Sequence, residues 1–173
     1  MKFCILFIFV FISLSTIYPC QCYEISVIEG VKSSDIVFKG TVLSIVKTTN
    51  YEDVGLRIDT TGLDSMVKQM KVYFPLYYVT VKIELLYKGS NHNTDTLKIL
   101  TPASGASCGY THFEKDNSYI IYANREDYFS KWSLPNKPLV GVEPNLYWTN
   151  HCTRTTDWYK EEEIEILKAI KED

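Results

Sequence analysis

The chain has 173 residues, 46% of them hydrophobic and 23% charged, with a formal net charge of −3. That is long enough for one domain with a real core and too apolar for a disordered chain. The small negative charge gives no electrostatic basis for binding nucleic acid or an anionic membrane, and the thirteen tyrosines suit strands and wet binding surfaces.

The first nineteen residues read as a signal peptide. Lys2 supplies a basic start, Phe3 to Ile12 is an unbroken apolar run, and Ser13 to Ile17 extends it more weakly. The segment is short for a membrane-spanning helix, and no other stretch is apolar enough to span, so the mature domain, residues 20–173, is expected to be secreted. Three cleavage points compete. A cut before Cys20 leaves Pro19 at the −1 position and Ile17 at −3, neither of them small. Ser13 and Ser15 direct a cut after Ser15, and Cys20 and Cys22 a cut after Cys22.

Glu24 to Ser34 is mixed and reads as a short helix ending near Gly30 or as a turn. Ile36 to Lys47 is rich in β-branched residues and predicts a strand. Gly40 inside it predicts a bulge or tight bend. Thr48 to Gln69 is polar and reads as a long loop or hairpin extension. Lys71 to Lys88 carries the clearest strand: Tyr77, Val79, Val81, Ile83 and Leu85 alternate with Tyr78, Thr80, Lys82 and Glu84, and Pro75 marks an edge, a bulge or the strand's true start. Gly89 to Asp95 reads as a turn, Thr96 to Leu100 as a strand, and Thr101 to Tyr110 as a small-residue loop holding Cys108. Ser118 to Ala123 is a strand. Asn124 to Asn145, with Pro135, Pro138, Gly141 and Pro144, is loop-like, and Leu146 to Arg154 is a last strand holding Cys152. The period then changes. Asp157 is placed to cap a helix over Trp158 to Lys171, with Glu161 to Glu163 solvated in the first turn, Lys168 and Lys171 in the last, and Ile164, Leu167, Ala169 and Ile170 on the buried face. Five uneven strands and a terminal helix suggest a small closed barrel.

Cys4 lies in the signal, which leaves Cys20, Cys22, Cys108 and Cys152. An even number in a secreted domain reads as two disulfides. One intervening residue gives Cys20 and Cys22 poor geometry for bonding each other, so each pairs with Cys108 or Cys152, in one order or the other. Either order closes long loops, each worth about 4–5 kcal/mol in the chain-entropy treatment. Both staples fix the same few N-terminal residues, which points to preorganisation of that end. A zinc site built from Cys20, Cys22, His151 and Cys152 matches no common zinc module in its spacing. The common catalytic sets are missing from the sequence. None of His92, His112 and His151 sits in a metal-binding pair, and there is no G-x-S-x-G elbow or phosphate loop. Cys108 with nearby His112 superficially offers a thiol nucleophile, but a paired Cys108 fits a secreted chain better. Enzymatic function therefore has no positive support.

The sequence Cys20-Gln21-Cys22, then "SSDIVFKGTV", "TPASGASCGY", "YIIYA" and "TNHCTRTTDW", taken together, resembles the N-terminal domain of the tissue inhibitors of metalloproteinases, part of the wider netrin-like family. The likeness runs from Cys20 to about Trp158. It implies an all-β protein, a five-stranded OB-fold (netrin-like) barrel with flanking helices, one of them C-terminal. It also implies the pairs Cys20–Cys108 and Cys22–Cys152. The family's third disulfide has no counterpart, since Val31 to Ser34 holds no cysteine, and no stretch corresponds to the family's C-terminal domain.

For function, the resemblance implies a secreted, monomeric inhibitor of extracellular zinc metalloendopeptidases with no cofactor of its own, the zinc being the protease's. Cys20 would meet that zinc through its free amine and carbonyl. Gln21 would enter the first primed pocket, where the family usually has Ser or Thr, and Tyr23 would lie along the cleft. Ala106 and Ser107 would form a second contact strip, and the Thr48 to Gln69 loop would add contacts outside the cleft. The alternative is a secreted netrin-like module that binds an extracellular partner without inhibiting a protease.

Overall fold

The computed structural model describes residues 20–48, 57–58, 75–90, 94–125, 139–140 and 146–171, with 57–58 and 139–140 described by backbone alone. The expected signal peptide, most of the 48–69 loop, residues 71–74 and most of the 124–145 segment lie outside the described residues. In chain order the elements are α1 (Val27–Ser33), β1 (Ile36–Thr48), β2 (Arg57–Ile58), β3 (Leu76–Lys88), β4 (Thr96–Pro102), a 3-10 turn (Gly105–Ser107), β5 (Ser118–Ala123), β6 (Leu139–Val140), β7 (Leu146–Trp148), β8 (Thr156–Asp157) and α2 (Lys160–Lys171). No helix among the described residues is long and apolar enough to cross a membrane.

The protein is mainly β, built on one six-stranded mixed sheet in the order β7-β4-β3-β1-β5-β8, with β2 and β6 forming a separate pair. All its ladders are antiparallel except β4 with β7, which is parallel. The expected five-stranded closed barrel is therefore corrected. The sheet has six strands, and among the described residues no ladder joins β7 to β8. The nearest approach to closure is one bridge, Asn124 with Trp148, between the end of β5 and β7. The predicted last strand, Leu146 to Arg154, stops after three residues, which pair with β4. The sixth strand lies beyond it: after a turn, Thr156–Asp157 pair with β5 as β8.

Local chemistry explains most elements. Ser26 caps α1: its hydroxyl accepts from the Glu29 amide while the Glu29 carboxylate accepts from the Ser26 amide, a complete capping box. The helix runs through Gly30 to Ser33, and Lys88 donates to the Val31 carbonyl at its other end at 2.7 Å. The bulge expected at Gly40 is present. The β1–β3 register shifts between Lys39 and Gly40, where partners step from Leu85 to Ile83. Skipping Glu84 breaks the alternation, so Leu85 turns outward, against expectation, and Leu86 packs on the core in its place. Pro75 stands immediately before β3, as its true start.

Two apolar clusters result. The larger fills one face of the sheet, with Phe38, Val79, Val81, Ile99, Tyr119 and Ile121 among its members. The smaller lies on the other face, where Val37, Ile120 and Tyr122 meet Val27 and Val31 of α1 and Ile166 and Ala169 of α2. The helix face is the expected one only in part: Ala169 is buried and Ile170 packs against this cluster. Ile164 and Leu167 are exposed, and Glu162, Ile166 and Ala169 are buried. Asp157 is not the helix cap either. It pairs with Tyr119 in β8, and the Trp158 amide continues that ladder to the Ser118 carbonyl, which delays the helix to Lys160.

At Gly40 an added Cβ would sit 2.6 Å from the Lys82 carbonyl oxygen and 2.7 Å from Val81 Cγ1. Gly40→Ala is expected to destabilise the fold by about 1–3 kcal/mol, the range for overpacking a tight interior. Chemical denaturation of the two proteins side by side checks it, and an unchanged midpoint would mean the sheet relaxes there freely.

Candidate functional site

The candidate site lies where the arm formed by residues 20–25, ahead of α1, meets two loops. Of the two orders the sequence leaves open, the structure adopts Cys20–Cys108 and Cys22–Cys152, with Cα separations of 5.3 and 5.1 Å. The residues of each pair are 88 and 130 positions apart, so the arm is held by segments from distant parts of the fold.

Each receiving loop has its own internal scaffold. The 3-10 turn is capped by Ser104, whose hydroxyl accepts from the Ala106 amide, and Cys108 leaves it in a left-handed conformation at φ 57°. Gly109 follows because nothing larger fits: a Cβ there would lie 1.7 Å from the Pro102 carbonyl oxygen. The Tyr110 amide donates to Thr101 at 2.8 Å, which anchors the loop's return to β4. In the second loop the Asn150 side chain accepts from the Cys152 amide at 2.8 Å. This turn chemistry, and not a strand, holds Cys152, so its predicted placement in a strand is corrected. The His151 amide donates to the Cys108 carbonyl at 2.7 Å, joining the two loops directly.

The structure therefore brings the arm and the Ala106–Ser107 strip together through the Cys20–Cys108 bond. Gln21 and Ala106 are exposed, and Cys20, Cys22 and Ser107 are half-buried. Tyr23 is 93% exposed, an aromatic ring almost entirely offered to solvent. Beside it opens a shallow cavity of about 210 Å³, lined by arm residues and by His151, Cys152 and Arg154. Exposed polar and aromatic groups on a backbone fixed at two points suit contact with a macromolecular partner.

All four sulfurs lie within 4.8 Å of one another, with Cys20 and Cys22 Sγ 3.7 Å apart. This set has Cys108 where the sequence-based zinc reading has His151. Every one of these sulfurs is in a disulfide, which leaves no thiolate to ligate a metal. The same bonding removes Cys108 as a thiol nucleophile that His112 could activate, and the His112 ring packs edge-on against Tyr110.

A polar network behind the arm was not anticipated from the sequence. Glu162, 1% exposed, receives the Nε and Nη2 of Arg154 at 2.8 Å each and the hydroxyls of Tyr122 and Tyr159 at 2.6 Å each. Burial opposes the charge on Glu162, yet the hydrogen bonds from Arg154, Tyr122 and Tyr159 outweigh it, and its pKa lies below the ordinary value. The hydrogen bond to Glu162, helped by burial, pushes the Tyr159 hydroxyl up to about 12. The signal for this network was the stripe Glu162, Ile166, Ala169, an i, i+4, i+7 apolar face that includes one carboxylate.

Because the folded-state pKa of Glu162 is depressed, its contribution to stability is fully present above its unfolded pKa and is lost as pH falls through the folded value. Glu84, bonded by Thr41, is shifted the same way and contributes to the same acid limb. Glu162→Gln is expected to lower stability near neutral pH by about 3 kcal/mol, the low end for breaking a buried pair, since the Arg154 side chain is 22% exposed. It should also flatten the loss of stability below about pH 4.5. Denaturation midpoints measured from pH 3 to 8 for both proteins test the two effects together.

No protein-family model matches this chain, and no curated protein matches it, so the functional reading rests on its residues and their geometry.

Proposed function

We propose that the protein is a secreted inhibitor of zinc metalloendopeptidases whose inhibitory end is Cys20. The observation that carries the proposal is the double tether of the arm. Two disulfides one residue apart fix the backbone at Cys20 and Cys22 while Gln21 and Tyr23 stand out into solvent. In this reading the six-stranded sheet is a variant of an OB-type, netrin-like barrel. The protein is not an enzyme, carries no cofactor of its own, and acts as a monomer.

A catalytic zinc keeps one coordination position open for its water. An α-amine has a pKa near ~8, so a useful fraction is neutral at neutral pH and can act as a ligand. The Cys20 nitrogen and carbonyl oxygen, offered together, displace the water the protease needs for hydrolysis. The disulfides keep that end ordered before binding, which lowers the entropy lost in the complex. Gln21 follows into the first primed pocket, and its long polar side chain restricts the proteases accepted. Tyr23 lies along the cleft, and Ala106 and Ser107 make the second strip of contact. The chemistry requires a mature chain that starts at Cys20, because an amide nitrogen does not chelate.

A second reading draws on Ile17 and Pro19, which fit poorly before a cleavage point at Cys20. With residues left ahead of Cys20, the same domain acts as a netrin-like module that binds an extracellular protein and inhibits nothing.

The test is a comparison of two purified forms, one starting at Cys20 and one with a single Ala added before it. Assayed against a panel of secreted zinc endopeptidases, the first is expected to inhibit at least one. The extended form should lose about 100-fold or more, since it keeps the fold and loses the chelating amine. Equal activity of the two forms, or no inhibition by either, contradicts the proposal.

A further inference from the structure

The disulfides fix only the first three residues of the arm. From Cys22 the chain continues through Tyr23, Glu24 and Ile25 to the Ser26 cap of α1. Among the described residues, one hydrogen bond holds the backbone of residues 20–25: Arg154 Nη1 donates to the Ile25 carbonyl at 2.5 Å. The same guanidinium grips Glu162 with its other two nitrogens at 2.8 Å each. A guanidinium is planar and its donors form a rigid fork, so fixing two nitrogens on a carboxylate sets the direction of the third.

Glu162 is itself immobilised. It belongs to α2, is buried, and accepts from Tyr122 of β5 and from Tyr159. Arg154 sits two residues beyond Cys152, in a left-handed conformation at φ 67°. The turn that holds the second disulfide thus also presents the fork. α1 lies directly on Tyr122 and Arg154: a Cβ on Gly30 would stand 3.1 Å from Tyr122 Cε1 and 3.2 Å from Arg154 Cδ.

We infer that Arg154, oriented by Glu162, is a positioning residue that locks the arm between Cys22 and α1 and so sets the direction in which Tyr23 and Glu24 project. The arm then has three fixed points, Cys20, Cys22 and Ile25, the third supplied through the C-terminal helix. The inference concerns the arm itself and holds whichever partner the arm meets, so it stands or falls separately from protease inhibition.

The test uses Arg154→Lys in the mature domain. A lysine keeps a positive charge beside Glu162, but its single ammonium cannot grip the carboxylate as a fork and reach the Ile25 carbonyl as well. Backbone ¹⁵N order parameters are the readout. Residues 23–25 should be rigid in the parent, at about 0.85, and fall below about 0.6 in the variant, with β5 unchanged. Arg154→Met combined with Glu162→Gln removes both charges and provides a second variant, for which the same loss of order is expected. Parent-like order at 23–25 in a folded variant overturns the inference. If neither variant folds, the parent decides: a rigid 23–25 segment supports the lock, and a mobile one overturns it.

Discussion

The covalent tether of the arm is the constraint from which the rest of the site follows. Cys20 and Cys22 are one residue apart, yet they bond to Cys108 and Cys152, which lie on different loops. Each closure removes about 4–5 kcal/mol of chain entropy from the unfolded state in the loop-closure treatment, a large contribution for one domain. Both closures end on the same short arm. A pair of staples spread over the fold would stabilise it as well, but only staples on neighbouring residues also fix the position and direction of the segment between them. The loops that receive them are braced internally and against each other. Cys108 leaves a capped 3-10 turn, Gly109 lies against the Pro102 backbone, and the His151 amide ties one loop to the other.

The sheet and helices supply the frame for those loops. Placing β7 parallel to β4 and β8 beside β5 puts the ends of the 149–155 turn on opposite edges of one sheet. The sheet curls enough to bring those edges together, the Thr149 and Thr155 hydroxyls lying 2.6 Å apart, and the turn between them carries Cys152 and Arg154. α1 and α2 cover the far face, and through Glu162 the second helix reaches the arm. A charged pair in this position does not need to add much net stability. Its role here is directional, since it aims a donor at a carbonyl that nothing else among the described residues satisfies.

Much of the frame was legible in the sequence because its signals are local. The β5 strand follows from an uninterrupted apolar and β-branched run, the start of β3 from Pro75, and the bulge from Gly40. Where pairing overrides local pattern, the reading failed. Leu85 belonged to the apolar alternation until the bulge skipped Glu84. Asp157 had the chemistry of a helix cap, but the β5 ladder claimed its backbone first. A three-residue strand such as β7 carries too little pattern to reveal a parallel partner. For the site, the cysteine spacing pointed to Cys20 and Cys22, and only the resemblance to the inhibitor family pointed to Ala106 and Ser107; their exposure and connection come from the structure. Arg154 and Glu162 were missed because an ion pair between a turn and a helix has no sequence period. The buried carboxylate in the stripe with Ile166 and Ala169 was the one trace it left.

Zinc chelation by Cys20 requires a free amine there, and the direct measurement is the N-terminal sequence and intact mass of the protein as secreted. The expected chain begins at Cys20, with a mass lower than that of the free-thiol form by the four hydrogens lost in forming two disulfides. A chain beginning at Thr16 would bury the nitrogen of Cys20 in an amide, and one cut after Cys22 would lack Cys20, Gln21 and Cys22 altogether. Either result would contradict zinc chelation and leave a binding module in its place.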